Sequence, residues 1–171
     1  MIFVVIAGVL FLMNTKSGVK TSVDFDVLFK KYASQYGLDW KMLKAICMNE
    51  SSLGTHPSVV RGMNNPSDIE GSKSSDGKSW GIMQVTVTTA RDFDSSATAE
   101  KLNNPEYSVR VASMFLQWVS ARFKTTDPQR VEWIVKSYNQ GVGNTQKEMS
   151  GSIAGYASEY WERYKRNYSK I

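Results

Sequence analysis

Asp39-Trp40-Lys41-Met42-Leu43-Lys44-Ala45-Ile46-Cys47-Met48-Asn49-Glu50 reads as one amphipathic helix with a misfit at its end. Asp39 is a capping residue type. Leu43, Ile46 and Cys47 share one face at helical spacing. Glu50 follows Leu43 by seven residues, Ile46 by four and Cys47 by three. A helix that runs this far places the carboxylate on the apolar face. Such a break in local consistency is the kind that collects at functional sites.

The segments on either side extend the helical reading. Phe25, Leu28, Phe29, Tyr32 and Tyr36 recur at three- and four-residue spacing before Gly37, a good helix stop. Gly54 to Trp80 is long, polar and rich in Ser, Gly, Asn and Asp, and reads as a loop forming one wall or lid of a cleft. Asn104-Pro105 is a start signal for a helix with the stripe Val109, Ala112, Leu116, Val119 and Phe123. Val111, Phe115 and Trp118 lie on its other faces, which predicts a central, buried helix. Asp127-Pro128 repeats the start signal ahead of Val131, Ile134, Val135 and Tyr138, and Gly141 and Gly143 break that helix. Tyr156, Tyr160, Tyr164 and Tyr168 form a last stripe, each four apart. The expected fold is mainly α, with at most a small β element.

The chain has 171 residues, which predicts one domain able to bury a sizeable core. A single cysteine, Cys47, excludes an internal disulfide framework and a multi-cysteine zinc site. A single histidine, His56, argues against a His-rich metal centre and a Ser-His-Asp triad. Both read as bystanders, and no metal or cofactor is expected. The formal charge of +5 suits an anionic partner. The basic residues form no long run, and no nucleic-acid-binding motif accompanies them.

Residues 2–13 are an uncharged apolar run, shorter than the ~20 residues that span a bilayer comfortably. The run has no positive n-region and no clear cleavage site. It is read as a short membrane anchor, with an atypical signal peptide and a buried core segment as alternatives. Lys16 and Lys20 follow it, which by the positive-inside rule favours a cytoplasmic position for what comes after. The expected organisation is an anchor or signal at 1–13, a linker at 14–23 and a catalytic domain at 24–171.

Four segments in order carry a resemblance: Asn49-Glu50-Ser51-Ser52-Leu53, Ser79-Trp80-Gly81-Ile82-Met83-Gln84-Val85, Ser137-Tyr138-Asn139-Gln140-Gly141 and Gly155-Tyr156. Together they resemble the soluble-type lytic transglycosylases, a superfamily with the goose-type lysozyme fold. The first is similar to the Glu-Ser motif, and the second to Gly-Leu-Met-Gln, with Ile82 for leucine. The third is similar to Ala-Tyr-Asn-Ala-Gly, with Ser137 and Gln140 for the alanines. The fourth resembles the late tyrosine that opens the last helix. Asn104-Pro105-Glu106 and the apolar helix after it are similar to the family's central helix.

The resemblance implies cleavage of the β-1,4 bond between N-acetylmuramic acid and N-acetylglucosamine in peptidoglycan. Glu50 would protonate the leaving oxygen. As carboxylate it would then take the proton of the sugar's own 6-hydroxyl, which closes a 1,6-anhydro ring. A carboxyl in an apolar pocket suits the first step, because burial keeps it protonated near neutral pH. By resemblance, Ser51 orders the turn after Glu50, Gly81 lets backbone approach the glycan, and Met83 lines the cleft floor. Gln84 bonds the sugar. Tyr138 and Asn139 close the cleft opposite Glu50, with Asn139 holding loop backbone, and Tyr156 sets its hydroxyl near the Glu50 carboxyl.

A departure from the family is the interval from Glu50 to Gln84, thirty-four residues and longer than usual. Ser72, Ser74, Ser75 and Ser79 compete there for the role of a serine on the N-acetyl group. Asp68, Glu70 and Asp76 leave a hydrolytic lysozyme open, since hydrolysis normally uses a second carboxylate. An assembly component with a degenerate site is a third reading, and a nucleic-acid-binding helical domain a fourth. The expected setting is local wall opening from a membrane, with virion association favoured over a secretion or conjugation machine.

Overall fold

The computed structural model describes residues 24–171 together with residues 5–6 and 9–10. Val5–Ile6 (β1) and Val9–Leu10 (β2) pair antiparallel, Val5 opposite Leu10. The rest of the expected anchor at 1–13, and the linker at 14–23, lie outside the described residues. Among the described residues no helix is long and apolar enough to cross a membrane.

From Asp26 the chain is helical, as the spacing predicts. The helix α1 (Asp26–Tyr36) buries Leu28, Phe29, Tyr32 and Ala33. Gly37 ends it in the left-handed region at φ 63°, where a residue without Cβ is unstrained. The Asp39 carboxylate accepts from the Lys41 N–H at 2.9 Å and starts α2 (Trp40–Ser51). This helix buries Met42, Leu43, Ala45, Ile46 and Cys47. It packs against α1 and, from the far end of the chain, against α9 (Ser158–Tyr168).

The segment after α2 is not all loop. Pro57 occupies the first turn of α3 (Pro57–Asn64), a position its missing N–H tolerates. Asn103 holds this region from outside: its Nδ2 donates to the Pro66 carbonyl and to Ser72 Oγ, each at 2.9 Å. The small β element is a two-stranded ladder of β3 (Ser79–Trp80) and β4 (Val85–Thr86), with Ser79 opposite Thr86. Two short helices follow, α4 (Val87–Arg91) and α5 (Ala99–Leu102).

The central helix is α6 (Pro105–Ser120), capped by Asn104 Oδ1 accepting from the Tyr107 N–H at 3.1 Å. Val109, Val111, Ala112, Leu116 and Val119 are fully buried on several of its faces. Trp118 departs from the expectation and stays 40% exposed. The next helix, α7 (Arg130–Gln140), ends at Gly141, whose φ of 80° and ψ of 151° no helix continues. Gly143 breaks nothing: it lies inside α8 (Val142–Met149), a helix the glycine count obscures. Lys136 is buried between Glu132 (2.8 Å) and Glu148 (2.7 Å), and so ties α7 to α8.

Candidate active site

Glu50 stands at the end of α2, half-buried. Its Oε1 accepts from the Tyr160 hydroxyl at 2.5 Å. Burial pushes the carboxyl up from an ordinary 4.5 to about 7, while the Tyr160 hydrogen bond and the charge of Arg163 pull it down, and the charge of Asp76 adds to the rise. A group with this value is protonated in a large fraction of molecules at neutral pH, and it can still ionise.

The tyrosine beside Glu50 is therefore Tyr160 and not Tyr156. Tyr156 precedes α9, is 64% exposed, and its hydroxyl donates to the Gln140 carbonyl (3.2 Å) and accepts from Asn144 Nδ2 (2.8 Å). Tyr160 lies in the first turn of α9 and is buried. Asn49 fixes it there. Its Nδ2 donates to the Tyr160 carbonyl at 3.0 Å, and its Oδ1 accepts from Asn167 Nδ2 at 2.9 Å. The stripe of four tyrosines contains it, but Tyr164 and Tyr168 also lie inside α9, so the stripe alone does not single it out.

Gly81 to Gln84 form a tight turn beside the end of α2, and side chains from three helices hold its backbone. The Gly81 carbonyl accepts from the Gln84 N–H (3.1 Å) and from Gln84 Nε2 (2.7 Å). The Ser51 hydroxyl donates to the Ile82 carbonyl at 2.7 Å and accepts from the Gly54 N–H at 2.9 Å. The Tyr138 hydroxyl donates to the Met83 carbonyl at 2.7 Å. Met83 N–H donates to Ser108 Oγ at 3.2 Å. Gln84 itself sits at φ 49°, a left-handed conformation uncommon for a residue with a side chain.

Several expected roles shift accordingly. Ser51 is buried and bonds backbone at Gly54 and Ile82. Gly81 is a glycine for packing: a Cβ there would lie 1.9 Å from the Leu102 carbonyl oxygen, and its φ is 74°. Met83 is fully buried and belongs to the core rather than to the floor of a cleft. Asn139 is exposed. The residue that holds loop backbone is its neighbour Gln140, whose Oε1 accepts from the N–H groups of Tyr156 and Ala157, both at 3.2 Å.

Gln84, Tyr138 and Asn139 line one groove of about 500 Å3, with Val85, Thr86, Phe115 and Trp118 further along it. A second groove, about 560 Å3, is lined by Leu38, Trp161, Tyr164 and Tyr168. Its carboxylate, Asp39, is engaged by the Lys41 N–H and by the Tyr168 hydroxyl at 2.6 Å. Size does not choose between the two; the charge of Glu50, which bears on Tyr138 in the first groove, does. Burial, and after it the charge of Glu50, holds the Tyr138 phenol well above its usual range.

Of the three loop carboxylates, Asp68 pairs with Arg61, and Glu70 with Lys73 at 2.5 Å. Asp76 bonds Ser74 Oγ and the Lys78 N–H, and its charge alone of the three bears on Glu50. Ser72 is buried against Asn103, Ser74 is engaged by Asp76, and Ser75 is exposed. Burial pushes the Cys47 thiol up to about 12, which makes it inert, and its Sγ donates to the Ile82 carbonyl. His56 is exposed and bonded to Ser58 within its own turn.

A family model, the Transglycosylase SLT domain, matches residues 27–160. The chain belongs to this family. The matched region includes α2 with Glu50, the Gly81–Gln84 turn, Tyr138 and, as its last residue, Tyr160. The SLT domain is also similar to proteins named membrane-bound lytic murein transglycosylase F. That of Serratia proteamaculans is 30% identical over 125 residues, 70% of this chain and 21% of the relative. That of Actinobacillus succinogenes is 26% identical over 153 residues, 84% and 26%. That of Haemophilus influenzae is 25% identical over 126 residues, 72% and 22%. The chain thus spans about a quarter or less of the length of these relatives.

Proposed function

We propose that this SLT domain is a peptidoglycan lytic transglycosylase. It cleaves the β-1,4 bond between N-acetylmuramic acid and N-acetylglucosamine and leaves a 1,6-anhydro ring. The observation that carries the reading is Glu50: one carboxyl raised to about 7 and bonded to Tyr160. Protonated Glu50 gives its proton to the leaving glycosidic oxygen as the C1–O bond breaks and the ring gains oxocarbenium character. The resulting carboxylate removes the proton of the 6-hydroxyl, whose oxygen bonds to C1. The acid is thereby regenerated. Tyr160 donates to the carboxylate in the interval and steadies it. Gln84, Tyr138 and Asn139 contact the sugars along the groove.

Mass spectrometry of products from purified peptidoglycan tests this. Ends in 1,6-anhydromuramic acid are expected. Reducing muramic acid would mean that water is the acceptor and the protein is a lysozyme. Asp76 favours that second reading, since it is the loop carboxylate that acts on Glu50. Asp76→Asn would then abolish hydrolysis. The same proposal places the domain at the cell wall, held at a membrane by residues 2–13, and opening the wall locally as part of a virion. The apolar composition of that run supports the anchor. Partition of the full chain with anionic vesicles tests it, with loss of residues 2–13 expected to release the protein.

A further inference from the structure

The last helix carries positive charge that the fold does not use. Arg163 and Arg166 lie three residues apart on α9, and Lys170 follows in the turn that ends it, so the three share one face. All are exposed, and none makes an ion pair among the described residues. By contrast, Lys31, Lys44, Arg61, Lys73 and Arg110 each meet a carboxylate. The acids of α9 leave the stripe uncompensated. Glu162 is taken by Lys165 at 2.8 Å, and Glu159, one turn before Arg163, makes no ion pair among the described residues. The stripe lies on the edge of α9 nearest the candidate acid. Asn167, four residues after Arg163, bonds Asn49, the neighbour of Glu50. Arg163 itself stands 5.7 Å from the centre of the Tyr160 ring, and the Tyr160 hydroxyl donates to Glu50.

We propose that this stripe, with Arg163 at its head, binds the carboxylates of the peptide branches that the wall glycan carries. This rests on the transglycosylase reading and extends it from the sugar chain to what hangs from it. The sugar whose C1–O bond breaks is N-acetylmuramic acid, and its lactyl group bears the peptide. The free carboxylates of that peptide are the anions nearest to the bond being cut. A guanidinium takes a carboxylate through two parallel N–H bonds, and Arg163 has both its donor edges open to solvent. Arg166 and Lys170 take carboxylates further along the branch. The site also acts on the acid. Burial raises Glu50, the Tyr160 bond and the Arg163 charge lower it, and the Asp76 charge raises it. Tyr138 and Cys47 also feel the Glu50 charge, and burial keeps both of them neutral. A carboxylate seated on Arg163 cancels the pull of that charge. Glu50 then stays protonated to higher pH when a branch is bound.

The test compares native peptide-bearing strands with the same strands after chemical amidation of their carboxylates. Binding is measured by calorimetry and cleavage by initial rates across pH, with the full chain. Wild type should show a Kd and KM for native strands about two- to fivefold below those for amidated ones, the range of exposed ion pairs. High salt should close that gap. The alkaline limb of the rate should lie higher for native strands. Arg163→Gln should close the gap and bring the two limbs together, and Arg163→Lys should keep part of the gap. A circular-dichroism melt establishes that both variants fold, and a merely structural role for Arg163 would change both strands alike. A gap that survives Arg163→Gln, or a gap with coincident limbs in wild type, overturns the assignment to Arg163. No gap in wild type, with binding to phosphatidylglycerol vesicles weakened in Arg163→Gln, overturns the site and makes the stripe a lipid-facing one. Native strands bound through Arg163 but left uncleaved overturn the transglycosylase reading and leave the carboxylate site standing.

Discussion

Glu50 is held between opposing influences, and their signs make its behaviour testable. In the unfolded chain it ionises near 4.5, and in the fold near 7. Between those values the folded state binds more protons, so this contribution to stability is full below about pH 4.5 and is lost as pH rises through 7. Glu50→Gln has no such dependence. Its melting temperature should exceed that of wild type at pH 8, with an advantage on the order of 2 kcal/mol that vanishes near pH 4.5. The same variant should lose at least ~10²-fold in cleavage, since in the proposed reaction one residue serves as both acid and base. Wild-type activity should fall above pH 7 as the acid ionises. Tyr160→Phe removes a donor that favours the ionised form, so the alkaline limb should move upward while the rate drops. Tyr156→Phe should leave that limb in place. A limb moved by Tyr156→Phe and not by Tyr160→Phe would overturn the assignment. The carboxyl was legible from spacing alone, because a charge on an apolar stripe is visible in one helix. Its tyrosine was not, because the partner lies 110 residues away and three others share its stripe.

The turn at Gly81–Gln84 shows how a motif can be legible while its purpose is not. Its residues read as ligand contacts, yet three of its carbonyls are bonded within the protein, to Gln84, Ser51 and Tyr138. This turn is a strap that fixes the end of α2, and with it Glu50, against α7. Gly81→Ala would drive a Cβ into the Leu102 carbonyl at a φ of 74°. A loss of about 3 kcal/mol is expected in a denaturant titration, from strain and overpacking together. A cost under about 0.5 kcal/mol would mean that the turn relaxes freely and positions nothing. The long apolar helices α1, α2 and α6 were legible for the opposite reason: each buries a broad stripe, and periodicity records burial. The short helices α3 and α8 bury only Val59, Gly62 and Thr145. With so little apolar surface they leave almost no period to read, and Pro57 was the one local sign of the first.

At the scale of the whole molecule, the ends of the described domain meet. Helix α9 packs on α2 and α7, and Asn49 bonds both Tyr160 and Asn167 across that contact. The core runs from Phe25 to Tyr164 as one cluster, so the earliest and latest helices complete the same interior. This is a non-local arrangement that no window of sequence displays, and the expected helices could have been joined in other orders. It has a direct consequence for truncation. Residues 24–171 should fold without the segment before them, because the buried stripes of α1, α2, α6, α7 and α9 cover one another. Residues 24–157, lacking α9, should not. They would uncover the face of α2 that α9 packs on, leave Asn49 without its partners, and remove the tyrosine from Glu50. Thermal melts followed by circular dichroism separate the cases. A single cooperative transition is expected for 24–171 and a broad, non-cooperative one for 24–157. Cooperative melting of the shorter chain would mean that α9 is an addition to a core already complete. Glu50 would then have to be held by the Gly81–Gln84 strap alone.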